Sequence, residues 1–170
     1  DYVNDDALVL MPSFQWQPHA DTRVSASLVH QQNDSKVSSQ FLPYQGTLGA
    51  APLGTIPSNR FAGEPDWDRY ETRKNELSLN WDQRLTPAWK LVGALRKTQS
   101  SSVTREIYTS VGPIPTAAGN ISRTVHAADR KTDVLGTDLR LEGTLQAGPI
   151  QHQVGVGVDY QNALWEEFNY

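Results

Sequence analysis

The chain has 170 residues, 19 acidic against 15 basic, for a net charge of −4. With no basic block it lacks the electrostatic footprint of a nucleic-acid binder, and with no cysteine it has no disulfide, zinc–thiolate site or cysteine nucleophile. Mean hydropathy is −0.53, and no apolar run approaches the ~20 residues of a membrane-spanning helix; a barrel strand hides its apolar residues in alternation, so a β-barrel remains open.

The first predicted strand covers residues 8–16. Leu8, Leu10, Phe14 and Trp16 share one face, with Val9 and Met11 opposite. Pro12 cannot donate to a ladder, so it predicts a bulge or a point where pairing stops. A short turn at 17–21, containing Pro18, leads into a strand over 22–31. There Val24, Ala26 and Leu28 oppose Arg23, Ser25 and Ser27. A long loop, roughly 33–73, follows and is rich in proline and glycine, from Pro43 and Gly46 to Gly63 and Pro65.

A second hairpin pairs residues 76–84 with 89–98 around a turn at 85–88. Leu77, Leu79 and Trp81 oppose Glu76, Ser78, Asn80 and Asp82. Trp89, Leu91 and Leu95 share a face, with Val92 and Ala94 opposite. A second long loop, roughly 100–131, holds Gly112, Pro113, Pro115 and Gly119. The third hairpin pairs 134–145 with 150–161 around a turn at 146–149. Leu139, Leu141 and Leu145 oppose Asp138, Arg140, Glu142 and Thr144; Ile150, Val154, Val156, Val158 and Tyr160 oppose Gln151, Gln153, Gly155, Gly157 and Asp159.

Period-two alternation means one apolar and one polar face, which a soluble antiparallel sheet also shows. Three features favour membrane. The segments approach the ~9–11 residues of a tilted spanning strand. Their polar faces are charged, as a wet lumen requires. Trp16, Trp81 and Trp89 lie beside the short turns on the apolar face, where an interfacial girdle sits. The expected fold is therefore all-β: an antiparallel transmembrane β-barrel wall of about six strands in three hairpins, with short periplasmic turns and long extracellular loops. Two rivals stand beside it. One is a small outer-membrane barrel with a structural or adhesive role, needing about eight strands. The other is a soluble β-barrel or sandwich binding a small apolar ligand.

Catalytic chemistry finds no support. His19, His30, His126 and His152 have no partner at metal-ligand or triad spacing, and no phosphate-loop or nucleophile-elbow motif occurs. The acidic cluster Glu64, Asp66, Asp68 and Glu71 lacks the ligand order of a calcium loop and reads as a solvated loop.

Several segments resemble one family. They are Phe41-Leu42-Pro43-Tyr44-Gln45-Gly46-Thr47-Leu48, then Ile56-Pro57-Ser58-Asn59-Arg60-Phe61-Ala62-Gly63-Glu64-Pro65 with Asp68-Arg69-Tyr70. Upstream stands Pro12-Ser13-Phe14-Gln15-Trp16-Gln17-Pro18, and downstream Gly155-Val156-Gly157-Val158-Asp159-Tyr160. In this order they resemble TonB-dependent siderophore receptors of the ferrichrome and ferripyoverdine type. The resemblance implies a barrel of roughly 22 strands with a plugged lumen, in the bacterial outer membrane.

Residues 1–170 would then be part of that barrel domain, with the plug and remaining strands elsewhere. The missing initiator methionine and leader fit a mature or internal piece. So does Tyr170, which would lie on the extracellular side of an ascending strand. The implied partners are a ferric siderophore, the TonB complex through the plug, and outer-membrane lipid. Iron travels inside the siderophore, so no protein cofactor is expected. By resemblance, Phe41 and Tyr108 contact the ligand, and Tyr44 is added as a third aromatic on the same loop. Each family aromatic pair lacks one member here, at Ser39 and Ile107, which points to a chelate other than ferrichrome.

Overall fold

The computed structural model describes residues 2–36, 41–109 and 115–170. The described residues form one antiparallel sheet of seven strands. These are β1 (Asn4–Leu10), β2 (Ser13–His19), β3 (Thr22–Lys36), β4 (Arg69–Thr86), β5 (Trp89–Thr109), β6 (Arg123–Ala147) and β7 (Ile150–Asn169). From β3 to β7 each strand pairs with its sequence neighbour.

The extra strand arises at Pro12. β1 pairs with the upper part of β3, ending at Leu10↔His30, and β2 resumes at Ser13↔Ser27. The register is the same on both sides, so no residue is inserted and the break is not a bulge. The ring removes one donor, but the Pro12 carbonyl still accepts the Leu28 N–H at 3.0 Å. The predicted strand 8–16 is thus one wall position in two collinear pieces.

The short turns are two residues each, at Ala20–Asp21, Pro87–Ala88 and Gly148–Pro149. Gly148 has φ +60°, the left-handed backbone that tight hairpins need at a central position. At the middle turn the Thr86 hydroxyl accepts the N–H groups of Ala88 (3.2 Å) and Trp89 (3.1 Å).

Pairing brings the apolar phases of all strands onto one face. One row runs Trp16, Val24, Trp81, Gly93, Leu139, Val158; the next toward the turns includes Leu91, Leu141 and Val156. The opposite face carries Arg23, Asp82, Val92, Arg140 and Gly157 in one row, and Ser25, Asn80, Ala94, Asp138 and Asp159 in another. Ten residue steps separate outward Leu145 from outward Leu135. At about 3.3 Å per residue and a tilt near 45°, that gives a band about 23 Å tall, close to the ~25 Å apolar belt of an outer-membrane barrel.

The band ends where polar side chains take over the same face. His30 Nδ1 and Asn75 Oδ1 are hydrogen-bonded at 2.8 Å, the Gln99 amide donates to Asp133 at 2.9 Å, and Lys97 pairs with Asp133. Toward the turns, the Trp89 indole lies flat over Gly143, where a Cβ would stand 2.2 Å from the ring. Trp81 similarly reaches over Gly93. Among the described residues the buried apolar side chains are Ala127 and Ala128 on β6 and the loop prolines Pro43 and Pro115, while Leu139, Val154, Val156 and Val158 are exposed. The soluble reading, which needs these residues in a core, finds none.

Four strands far exceed the predicted lengths, reaching 25 residues in β6. Above the band both faces are polar, as in Gln99-Ser100-Ser101-Ser102, so alternation disappears from the sequence. Backbone pairing does not need it and continues to Thr109↔Arg123. Strand takes over residues 33–36 and 69–73 of the first predicted loop and residues 100–109 and 123–131 of the second. Ser39, Gly112 and Pro113 lie outside the described residues.

Candidate functional site

The first loop begins, where described, with a compact turn built by its own motif. The Tyr44 carbonyl accepts the N–H groups of Thr47, Leu48 and Gly49 at 3.2, 3.0 and 2.9 Å. The Thr47 hydroxyl donates to the Pro43 carbonyl at 2.5 Å. Gly46 takes φ +89°, and its carbonyl accepts the Ile56 N–H at 2.6 Å. The Tyr44 ring covers Gly49, where a Cβ would meet it at 2.5 Å.

The returning limb is fixed by two charged side chains. Asp68 is 3% exposed. One carboxylate oxygen accepts the Glu64 N–H at 2.6 Å and the other the Ile107 N–H at 2.8 Å. Arg123, at the start of β6, donates to the Gly63 carbonyl at 3.1 Å and to the Glu64 carboxylate at 3.1 Å. The acidic cluster is therefore not a solvated loop throughout: Asp68 is a buried strut and Glu64 is tied to an arginine. Among the described residues no group of acidic and histidine side chains forms a metal cage.

Phe41 and Tyr108 come together at this outer end. Their ring centroids are 6.0 Å apart at 79°, an edge-to-face contact. One ring comes from the first loop and the other from the end of β5. Phe41 remains half exposed. Tyr44 stands apart from this pair over Gly49 and is 64% exposed. Beside the pair, the two loops enclose a cavity of about 750 Å³ lined by Leu42, Leu53, Ile56, Phe61, Ile121 and Arg60.

Below the rim, Arg105 bonds Asp129 at 2.8 Å, and its guanidinium lies 5.4 Å from the Tyr170 ring centre. That hydrogen bond from Arg105 holds the Asp129 carboxyl below its usual range and raises Arg105 above its own. Arg130 likewise holds Glu167 low. Lower down, the lumenal face carries the pairs Lys90–Glu142 (2.9 Å) and Arg140–Asp138 (2.8 Å).

Sequence reasoning missed Asp68 and Arg123. Asp68 sits among like residues at 64 and 66, and only the end of β4 beside it makes it buried. Arg123 carries no local signal.

The sheet superposes on the iron–pyoverdine-bound receptor FpvA of Pseudomonas aeruginosa with a TM-score of 0.82, at 18% identity, over 100% of this chain and 22% of that one. The closed form of the ferric-catecholate import receptor Fiu from E. coli K12 gives 0.80 at 19% identity, over 97% of this chain and 25% of that one. The chain has the fold of a stretch of wall from such a receptor barrel. In a barrel wall of this fold the apolar face is the one that meets lipid.

No family model matches the chain. Two receptors align with this barrel wall almost end to end. The ferrioxamine B receptor of Salmonella typhimurium is 28% identical over 160 residues, 94% of this chain and 22% of the receptor. The metal-pseudopaline receptor CntO of Pseudomonas aeruginosa is 27% identical over 173 residues, 95% of this chain and 22% of the receptor. The chain thus spans about a fifth of the length of the curated relatives it matches.

Proposed function

We propose that this chain belongs to the barrel domain of a longer outer-membrane receptor that takes up ferric siderophores, with energy delivered through TonB to a plug domain. The observation that carries the reading is the meeting of Phe41 and Tyr108 at the outer end of this barrel wall. A ferric siderophore is a bulky, rigid chelate. Aromatic rings hold such a surface through large contact area with few rotors to freeze. Iron stays coordinated by the siderophore, so the site needs no protein metal ligands. Tyr44, on the same loop but away from the pair, would touch a chelate only at its periphery. The names of the similar receptors, for ferrioxamine B and for metal-pseudopaline, support a metal chelate as the substrate class.

The test is tryptophan fluorescence of the full-length protein, titrated with a panel of ferric siderophores and other metal chelates. One chelate should quench strongly, and Phe41→Ala or Tyr108→Ala should weaken its binding about tenfold. Quenching by a non-ferric chelate alone would move the substrate to another metal. No quenching by any chelate would remove the uptake assignment and leave the barrel.

A further inference from the structure

We infer that Asp68 is the residue that positions the aromatic rim, by standing in for a missing strand at the outer end of β5. The inference rests on the chelate-uptake reading for its functional consequence, but its structural part does not.

β4 begins at Arg69, which pairs with Arg105. β5 runs on to Thr109 with β6 on one side and no β4 residue on the other. Ile107 therefore directs its N–H into the place where β4 would have continued. A backbone donor left unpaired in a buried place is costly. The Asp68 carboxylate takes that donor at 2.8 Å while its second oxygen takes the Glu64 N–H at 2.6 Å. Two elements are joined by one side chain: the returning limb of the loop that carries Phe41, and the strand end that carries Tyr108 one residue further on. Arg123 clamps the same limb from β6 through Gly63 and Glu64.

Asp68 touches neither ring, so its role is positioning. A carboxylate suits the task because both its oxygens only accept hydrogen bonds. Asparagine has nearly the same shape but turns one acceptor into a donor facing an N–H. Asp68→Asn is thus a small change in volume that breaks one arm of the strut.

The experiment uses the full-length receptor, with heat-modifiable gel migration to confirm that each variant has a folded barrel. Arg60 is the only Lys or Arg between residues 41 and 68, so trypsin cleavage there reports release of the limb. Amide exchange at Ile107 and Tyr108 reports fraying of the strand end. In Asp68→Asn, cleavage at Arg60 and exchange at Ile107 should both accelerate, and affinity for the quenching chelate should fall about tenfold. Asp68→Ala should do the same more strongly.

Unchanged cleavage and exchange in both variants would overturn the strut. Faster cleavage with unchanged chelate affinity would overturn the positioning role. If the wild-type protein quenches with no chelate, the uptake reading falls, and cleavage and exchange alone decide whether Asp68 holds the two elements together.

Discussion

Leu139→Arg tests which face of the sheet meets lipid. Leu139 lies on the apolar face, 45% exposed, between Gly93 on β5 and Val158 on β7. It is one residue step above the midpoint between Leu135 and Leu145, about 2–3 Å from the centre of the band once tilt is included. Leu135 shares that face but lies five steps above the midpoint, about 12 Å away, next to the polar row of Gln99 and Asp133. An arginine on the lipid face costs about 2–4 kcal/mol at the midplane and about 0–1 near the interface. Leu139→Arg should therefore destabilise the full-length barrel by about 1–4 kcal/mol beyond Leu135→Arg. The assay is reversible denaturant unfolding in lipid bilayers, followed by tryptophan emission. Equal costs at the two positions would refute the depth assignment. An arginine at 139 tolerated without loss would refute the assignment of the face itself.

Two further outcomes follow from the geometry. In Gly143→Ala the new methyl collides with the Trp89 ring, since a Cβ there stands 2.2 Å from the indole. The ring must leave its seat, costing about 1–3 kcal/mol by overpacking, and the near-ultraviolet circular dichroism of that tryptophan should weaken; an unchanged spectrum and stability would mean the indole is not seated there. For Asp129, the folded carboxyl is held below its ordinary value, chiefly by the Arg105 hydrogen bond. Its contribution is present above the unfolded carboxyl's pKa and is lost as pH falls through the lower folded one. Acidification through that window should loosen the Arg105–Tyr170 contact, seen as a loss of protection at the Tyr170 amide relative to the intrinsic exchange rate at each pH. Asp129→Asn should remove that pH dependence.

The rows of the lipid face were readable because the bilayer acts on them directly. Leu79, Trp81, Leu139 and Val158 each face hydrocarbon, so each strand records the same period, and Pro87 and Gly148 mark where two of the hairpins reverse, whereas Pro18 lies inside β2, two residues before its turn. Above Gln99 that pressure ends. Ser100, Ser101 and Ser102 are polar on either face, and nothing local says that β5 continues to Thr109. Pro12 shows a different limit. The sequence says that a donor is missing, while the unshifted register depends on β3, whose Leu28 N–H finds the Pro12 carbonyl. The approach of Phe41 to Tyr108 was available only through family resemblance, because a loop and a distant strand end share no periodic signal. Asp68 was hidden for a related reason: its burial is made by where β4 stops and β5 does not.

On the proposed uptake reading, the length of β5 beyond the apolar band has a consequence for where a ligand would first be met. Nine residue steps separate Gln99 from Tyr108, or about 21 Å of height at the same rise and tilt. The aromatic pair stands on a mast, well clear of the lipid headgroups. The mast is paired backbone, so the position of Tyr108 is settled when the barrel folds and little of that ordering remains to be done when a molecule arrives. Selection would then happen out in the surrounding medium, before an incoming solute is committed to the lumen.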